Sequence, residues 1–349
     1  SLWADPALVG DPDTAADTLS EILPVSRDTL HQRLSRQNRR FVWLNRGITP
    51  GISRSIEATG LKGLYFRKER RRVYPCGELM ASVIGFSGVD GHGLEGLEST
   101  MNHKLAGVPG EELQAFDALS RPYSNEKITI TEPEQGQDVV LTLDKTIQHF
   151  ASTALRTVLE DENAQWGAVV VLDVETGETL ALVSEPTFNP HRFNESRKED
   201  RRNRCISQLL EPGSTFKAIT LAACLDQGLA RPDEVINCEN GKLTIGKSTF
   251  SDWKAFDELS VADVVVFSSN TGTIKLGSRL GGAGITAFAK QLGFGRMRFP
   301  NLPGAESGYI RVQDQWTPTA VASLSIGYGV AVTPVQLAAA YASIANGGK

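Results

Sequence analysis

Nowhere in the 349 residues is there a run of apolar side chains approaching the roughly 20 that a bilayer-spanning helix needs. No secretory leader opens the chain either. The four cysteines, Cys76, Cys205, Cys224 and Cys238, are widely spaced and form no C-x-x-C pair. That excludes a zinc knuckle or a thioredoxin-type centre, and free thiols are expected. The five histidines, His31, His92, His103, His149 and His191, never fall at metal-ligand spacing, so they read as structural or exposed. No metal and no cofactor is expected. There is no excess of basic charge: the net charge is −5, which argues against a nucleic-acid partner. Arg70-Arg71-Arg72 and Arg201-Arg202 with Arg204 read as solvated faces or structural ion pairs. What is present is an ordinary globular composition, 40% hydrophobic and 22% charged, over a length that indicates two domains.

Ser1 to Pro6 read as the middle of a strand, so the chain reads as a fragment cut from something longer. Asp11-Pro12-Asp13 caps a predicted helix over Thr14 to Leu23, and Ser26-Arg27-Asp28 opens another through Gln37. Phe41 to Leu44 is strand-like, Thr49-Pro50-Gly51 precedes a helix ending near Gly60, and Arg67 to Tyr74 reads as a basic strand. Ala81 to Phe86 follows as an apolar strand. Gly91-His92-Gly93-Leu94-Glu95-Gly96 then matches G-x-G-x-x-G ahead of a helix over Leu97 to Leu105. A dinucleotide site is rejected there, because such a unit needs a second parallel strand ending in an acid about 20 residues on. Here that position is the turn Gly107 to Glu112. From Gly110 to Ile130 the pattern is a polar hairpin whose arms are Gln114–Asp117 and Lys127–Ile130, around a loop with Arg121-Pro122. Glu132 to Gln137 is turn-rich, and the domain boundary is placed there: 1–134 and 135–349.

The second domain opens with a strand over Asp138 to Leu143. Asp144 caps a helix to about Asp161, with Ile147, Phe150, Ala151, Ala154, Leu155, Val158 and Leu159 on one face. Gly167–Asp173 and Thr179–Ser184 form two apolar strands joined by a Gly-containing turn. A helix on an antiparallel sheet makes the class α+β. Beyond residue 225 come turn-rich strands to Trp253, a helix over Val261–Phe267 and another from Thr271 to about Leu280. Three further helices cover Ile285–Leu292, Ala320–Ile326 and Thr333–Asn346, with Gly327-Tyr328-Gly329 as a tight turn.

Two stretches carry possible chemistry. Glu211-Pro212-Gly213-Ser214-Thr215-Phe216-Lys217 is followed at once by the apolar run from Ala218 to Leu225. A helix starting after Pro-Gly puts Ser214 and Lys217 on one face. A serine hydroxyl is a poor nucleophile until a neighbour takes its proton, and a lysine whose pKa is lowered by burial can do so. Unpaired N–H groups at the helix start can receive an oxyanion. Alone, this pair also reads as a solvated Ser and Lys. Ser268-Ser269-Asn270 lies between two helices. It offers a hydroxyl that relays a proton and an amide that binds a carbonyl, or it is only an N-cap cluster.

S-x-x-K with S-D-N and K-T-G is the signature of class A β-lactamases and penicillin-binding proteins, and Ser214 to Lys217 and Ser268-Ser269-Asn270 match its first two elements. The resemblance covers essentially the whole chain. Arg72-Val73-Tyr74-Pro75, Val83-Ile84-Gly85-Phe86 and Gly93-Leu94-Glu95-Gly96-Leu97-Glu98 resemble the pedestal of class B penicillin-binding proteins. Asp138–Asp144, Asp173–Glu178, Phe188-Asn189-Pro190 and Ile326–Ala338 resemble their transpeptidase domain, and Gly-Tyr-Gly is most similar to the division-specific branch. The resemblance implies an elongated N-terminal pedestal and an antiparallel sheet with helices on both sides. It implies D,D-transpeptidation of peptidoglycan stems ending in D-Ala-D-Ala during septal wall synthesis. Ser214 would be the nucleophile, Lys217 its base and Ser268 the proton carrier. Asn270 would bind the stem carbonyl and hold Lys217, and Ser269 joins Asn270 as a substrate-binding residue. β-Lactams would acylate Ser214. The implied partners are a division glycosyltransferase and other membrane division proteins. The implied location is the extracytoplasmic face of the bacterial inner membrane, reached through an N-terminal anchor helix that this chain does not contain. A D,D-carboxypeptidase and a catalytically incomplete scaffold are the alternatives.

The third element of the signature, Lys-Thr-Gly or Lys-Ser-Gly, does not occur. The chain stops at Asn346-Gly347-Gly348-Lys349, where the family would still have the strand that bears it. Truncation is the expectation, and a fragment ending there is expected to be poorly active.

Overall fold

The computed structural model describes residues 1–113, 128–299, 302–311 and 315–348. They form two compact units, Ser1–Val73 with Ser87–Leu94, and Tyr74–Phe86 with Glu95–Lys349. This division differs from the compositional boundary at 134. The segment around Ala81–Ile84 belongs with the second core, where Val83 is buried with Leu182 and Ile206 and Leu79 O accepts from Gln148 Nε2.

The first unit is a three-stranded antiparallel sheet in the order Val42–Asn45, Leu2–Ala4, Leu64–Phe66. Leu2, Ala4 and Leu44 alternate inward, onto Ala15, Leu19, Leu30, Leu34 and Ile56 of the helices Pro12–Ile22, Arg27–Leu34 and Pro50–Ala58. Each helix starts on the cap read from the sequence: Asp11, Ser26 and Thr49 accept from Asp13, Thr29 and Ile52 N–H. The expected basic strand over Arg67–Tyr74 does not form. The third strand is Leu64–Phe66, and its partner Leu2–Ala4 is used up after Arg67 N donates to Ser1 O.

In the second unit the expected strand over Ala81–Phe86 is instead a helical turn, Ala81–Ile84, ended by Gly85 at φ +75°. A Cβ on Gly85 would sit 1.9 Å from Glu95 O, and one on Gly96 would sit 2.6 Å from Gly85 N. The last glycine of the G-x-G-x-x-G pattern therefore serves a backbone crossing. Glu111–Leu113 pairs with Ile128–Thr131 as a hairpin, while Gln114–Asp117, Arg121-Pro122 and Lys127 lie outside the described residues.

The expected strand over Asp138–Leu143 is also not formed. Val140 is 94% exposed, and what ties this stretch to the sheet is Thr142 Oγ1 donating to Thr179 O and Asp144 N to Leu180 O. In the Lys145–Asp161 helix the expected apolar face is half wrong: Phe150 and Val158 are exposed, and Gln148 and Ser152 are the buried positions. Gln148 is kept inside by three hydrogen bonds, donating to Leu79 O and Leu182 O and accepting from Leu182 N. Gly167–Leu172 and Thr179–Glu185 form the antiparallel sheet. Gly167 faces Leu155 and Leu159 of that helix, and Ala168 and Val170 pack with Val335 from Pro334–Ala345. Helices thus cover both sides of the pair, an α+β arrangement.

The Lys217–Asp226 helix is mostly apolar and packs between two clusters. Ile219 and the preceding Phe216 join Phe294, Leu324 and Val330; Leu221 and Cys224 join Ile236, Val264 and Leu276. The helices expected from Thr271 and Ile285 form as two segments of the stretch Asn270–Gln291, separated at Gly281, whose φ of 66° and ψ of 168° are not helical. The four cysteines are free thiols, and burial pushes Cys205 up to about 12 and Cys224 to about 11. Among the described residues no helix is long and apolar enough to cross a membrane.

Candidate active site

Pro212 and Gly213 (φ +54°) turn the chain into a single 3-10 turn, Gly213–Phe216, before the α-helix begins at Lys217. Ser214 stands on that turn with an exposed side chain. Its backbone N–H has no acceptor among the described residues, so it is available to a developing negative charge. The turn is clamped from a distant part of the chain. Gly213 N donates to Gly327 O, and Gly329 N donates to Glu211 Oε1 at 2.9 Å. Gly327 cannot be replaced there: it has φ +87°, and a Cβ would lie 2.2 Å from Gly213 O. Tyr341 Oη donates to Thr215 O at 2.7 Å, and Thr220 Oγ1 ties the helix to Ser325 O at 2.9 Å.

Lys217 is only 3% exposed. Burial disfavours its charged form and pulls its pKa from 10.5 down to about 8, against a smaller upward pull from Asp252. The Nζ donates to Ser268 O at 2.6 Å and to Ser268 Oγ at 3.0 Å. The structure thus brings Lys217 and Ser268 together across 51 positions of sequence. No hydrogen bond joins Ser214 Oγ to Lys217 Nζ among the described residues.

Ser268 connects Val261–Val266 to Asn270–Gln291 and sits at φ +52°, a left-handed conformation that costs a non-glycine residue about 1 kcal/mol or more. The two bonds from Lys217 help to hold it. Outside the loop, Trp253 Nε1 donates to Phe267 O at 2.9 Å, and the Trp253, Phe256 and Phe267 rings form a run with centroids 5.8 and 5.4 Å apart.

The next two residues are placed differently from each other. Ser269 is fully buried, and its hydroxyl is spent as the N-cap of Asn270–Gln291, accepting from Gly272 N and donating to Asp252 Oδ2. A side chain so enclosed positions the loop rather than meeting a substrate. Asn270 is half-buried and makes no hydrogen bond to Lys217 among the described residues; its Nδ2 donates to Ser251 O at 2.6 Å.

Asp252 is the residue that sequence reasoning missed. Its Oδ1 accepts from Asn270 N and Thr271 N, and its Oδ2 from Ser269 Oγ and Thr271 Oγ1. It therefore caps the helix from 18 positions upstream, outside the window in which a cap is legible. Glu211 escaped for the same reason, because its partner Gly329 is 118 positions away. The arrangement offers an exposed hydroxyl with a free N–H, a depressed lysine one turn on, and a second hydroxyl bonded to that lysine. These are the parts of a serine acyl-transfer site.

Known proteins carry the same architecture. Residues 167–349 match the family model "Penicillin binding protein transpeptidase domain", and residues 1–141 match "Penicillin-binding Protein dimerisation domain". The chain is 36% identical over 357 residues to "Probable peptidoglycan D,D-transpeptidase PenA" of Neisseria gonorrhoeae, across 100% of this chain and 60% of that protein. It is 32% identical over 354 residues to "Peptidoglycan D,D-transpeptidase FtsI" of Escherichia coli K12, with the same two coverages. It thus spans about three fifths of the length of these relatives. The crystal structure of penicillin binding protein 3 from Mycobacterium tuberculosis complexed with ampicillin aligns with a TM-score of 0.68 at 30% identity, over 82% of this chain and 59% of that one.

Proposed function

The chain belongs to the penicillin-binding protein transpeptidase family, and on that premise we propose that it is the acylating part of a peptidoglycan D,D-transpeptidase of the division-specific branch. Ser214 Oγ attacks the carbonyl of the penultimate D-Ala of a stem peptide. The C–N bond breaks, D-Ala leaves with the proton, and an amine of a neighbouring stem takes the acyl group to form the crosslink. Neutral Lys217 takes the Ser214 proton, which requires its Nζ to turn from Ser268 toward Ser214. Ser268 passes a proton to the leaving amine. The Ser214 N–H meets the oxyanion, and Asn270 presents its side-chain amide to the stem carbonyl. A β-lactam enters the same route: its ring C–N bond opens, and the acyl group stays on Ser214. The protein works at the extracytoplasmic face of the cell membrane beside a division glycosyltransferase.

The observation that carries this reading is the buried Lys217, pulled down to about 8 and bonded to both oxygens of Ser268, one helical turn from exposed Ser214. The intact protein is treated with ampicillin and weighed by mass spectrometry. The expected result is one added ampicillin mass, located on Ser214 and absent in Ser214→Ala. An unmodified protein, or label that persists in Ser214→Ala, rejects the reading.

A further inference from the structure

A second cavity lies within the second unit and shares no lining residue with the Ser214 site. Its volume is about 340 Å³, in the range of small-ligand pockets. Phe188, Ile206 and Leu302 give it apolar wall, and Asn203 and Arg201 give it buried donors. Asn203 is 7% exposed. Its Oδ1 accepts from Cys205 N at 3.1 Å, which fixes which way the amide points. The Nδ2 then has no hydrogen-bond partner. Arg201 is similar. Its Nη1 donates to Phe193 O at 3.3 Å, its Nη2 lies 3.3 Å from Glu95 Oε1, and the guanidinium sits over the Phe86 ring. Its Nε is buried and unpaired. Two orphaned donors on one cavity are unusual, because a buried donor without an acceptor keeps its full desolvation cost.

We propose that this cavity binds a small monocarboxylate, whose oxygens accept from Asn203 Nδ2 and Arg201 Nε. The lining charges favour this class over others. Lys198, Arg201 and Arg202 line it with Glu95 and Glu306, and the two arginines are already paired, Arg201 with Glu95 and Arg202 with Glu199 behind the wall, so the lining carries little net charge. Two unpaired donors in a nearly neutral wall accommodate a monoanion, whereas a phosphate dianion would bring two charges with neither arginine free to meet them. A guanidinium and an amide also suit the planar pair of carboxylate oxygens. The site is independent of the transpeptidase reading, since none of its residues takes part in that chemistry.

The test uses the intact protein with its asparagine side-chain amides labelled with 15N. Sodium acetate is titrated in, with sodium chloride at equal ionic strength as the blank and sodium phosphate as the competing class. The Asn203 amide signals are expected to move saturably with acetate only. Asn203→Asp keeps the oxygen that accepts from Cys205 N, removes the free donor, and is expected to weaken acetate binding at least about tenfold. The readout for this variant is calorimetry, with a thermal melt to establish that it folds. Arg201→Gln is the second variant, expected to weaken binding by a similar factor, and it decides the matter should Asn203→Asp fail to fold. No saturable shift means that water alone fills the cavity and overturns the proposal. Unchanged affinity in the folded variants, or equal affinity for phosphate, overturns it as well.

Discussion

The depressed pKa of Lys217 makes a quantitative expectation for the rate of acylation. At pH 7 a lysine titrating at about 8 is neutral in about one molecule in ten, whereas one at 10.5 is neutral in about one in 3,000. Burial therefore raises the population of free base about 300-fold at neutral pH. If neutral Lys217 takes the Ser214 proton, the acylation rate with a fluorescent penicillin should rise about tenfold between pH 6 and pH 7, bend near pH 8 and flatten above it. The rate is measured under single-turnover conditions with the intact protein. A rate that is flat from pH 6 to 9, or a bend near pH 10, refutes the argument.

Stability supplies an independent reading of the same group. The folded pKa lies below the unfolded value, so between pH 8 and 10.5 the unfolded chain holds more protons and stability rises with pH. Below pH 8 the burial penalty is present in full. In urea unfolding, wild type should therefore gain on Lys217→Met as the pH goes from 8 to 10. A constant difference between the two would mean that Lys217 is not depressed.

Four other outcomes follow from particular contacts. Asp252→Asn removes the charge that pulls the Lys217 pKa upward, so the bend in the acylation profile should move below pH 8; a bend that stays in place removes Asp252 from the electrostatics of the site. Ser268→Gly relieves the left-handed strain but deletes the hydroxyl, so the melting temperature should hold or rise while acylation falls at least about a hundredfold. Gln148→Leu leaves Leu79 O, Leu182 O and Leu182 N without their buried partner and should cost about 3 kcal/mol or more in denaturant unfolding. Gly277→Ala places a Cβ 2.0 Å from Ser325 Oγ and should cost about 1–3 kcal/mol by the same assay, since neither helix can move apart freely.

Much of the local structure was legible. Caps at Asp11, Ser26, Thr49 and Asp144, and the turn at Gly327-Tyr328-Gly329, were read where they occur, because capping and turn chemistry act within about four residues. The expected strands over 67–74, 81–86 and 138–143 did not form. Strand propensity states only that a segment tolerates extension, and a strand exists where a partner edge is free to pair. The Lys145–Asp161 helix misled in another way. Its periodicity predicted an apolar buried face, but Gln148 goes inside because two carbonyls and one N–H of distant segments need it there.

The candidate site divides along the same line. The sequence alone determined that Ser214 and Lys217 share one helical turn and that Ser268 to Asn270 stand between two helices, because those are matters of spacing along one chain. Tertiary structure decided that Lys217 is buried and depressed, that it bonds Ser268 across 51 positions, that Asp252 caps the Asn270 helix, and that Ser269 is enclosed rather than presented. Desolvation and long-range pairing depend on what packs around a group. The residues that pack around Lys217 are brought there by the fold, from parts of the chain that its own neighbours in sequence do not specify.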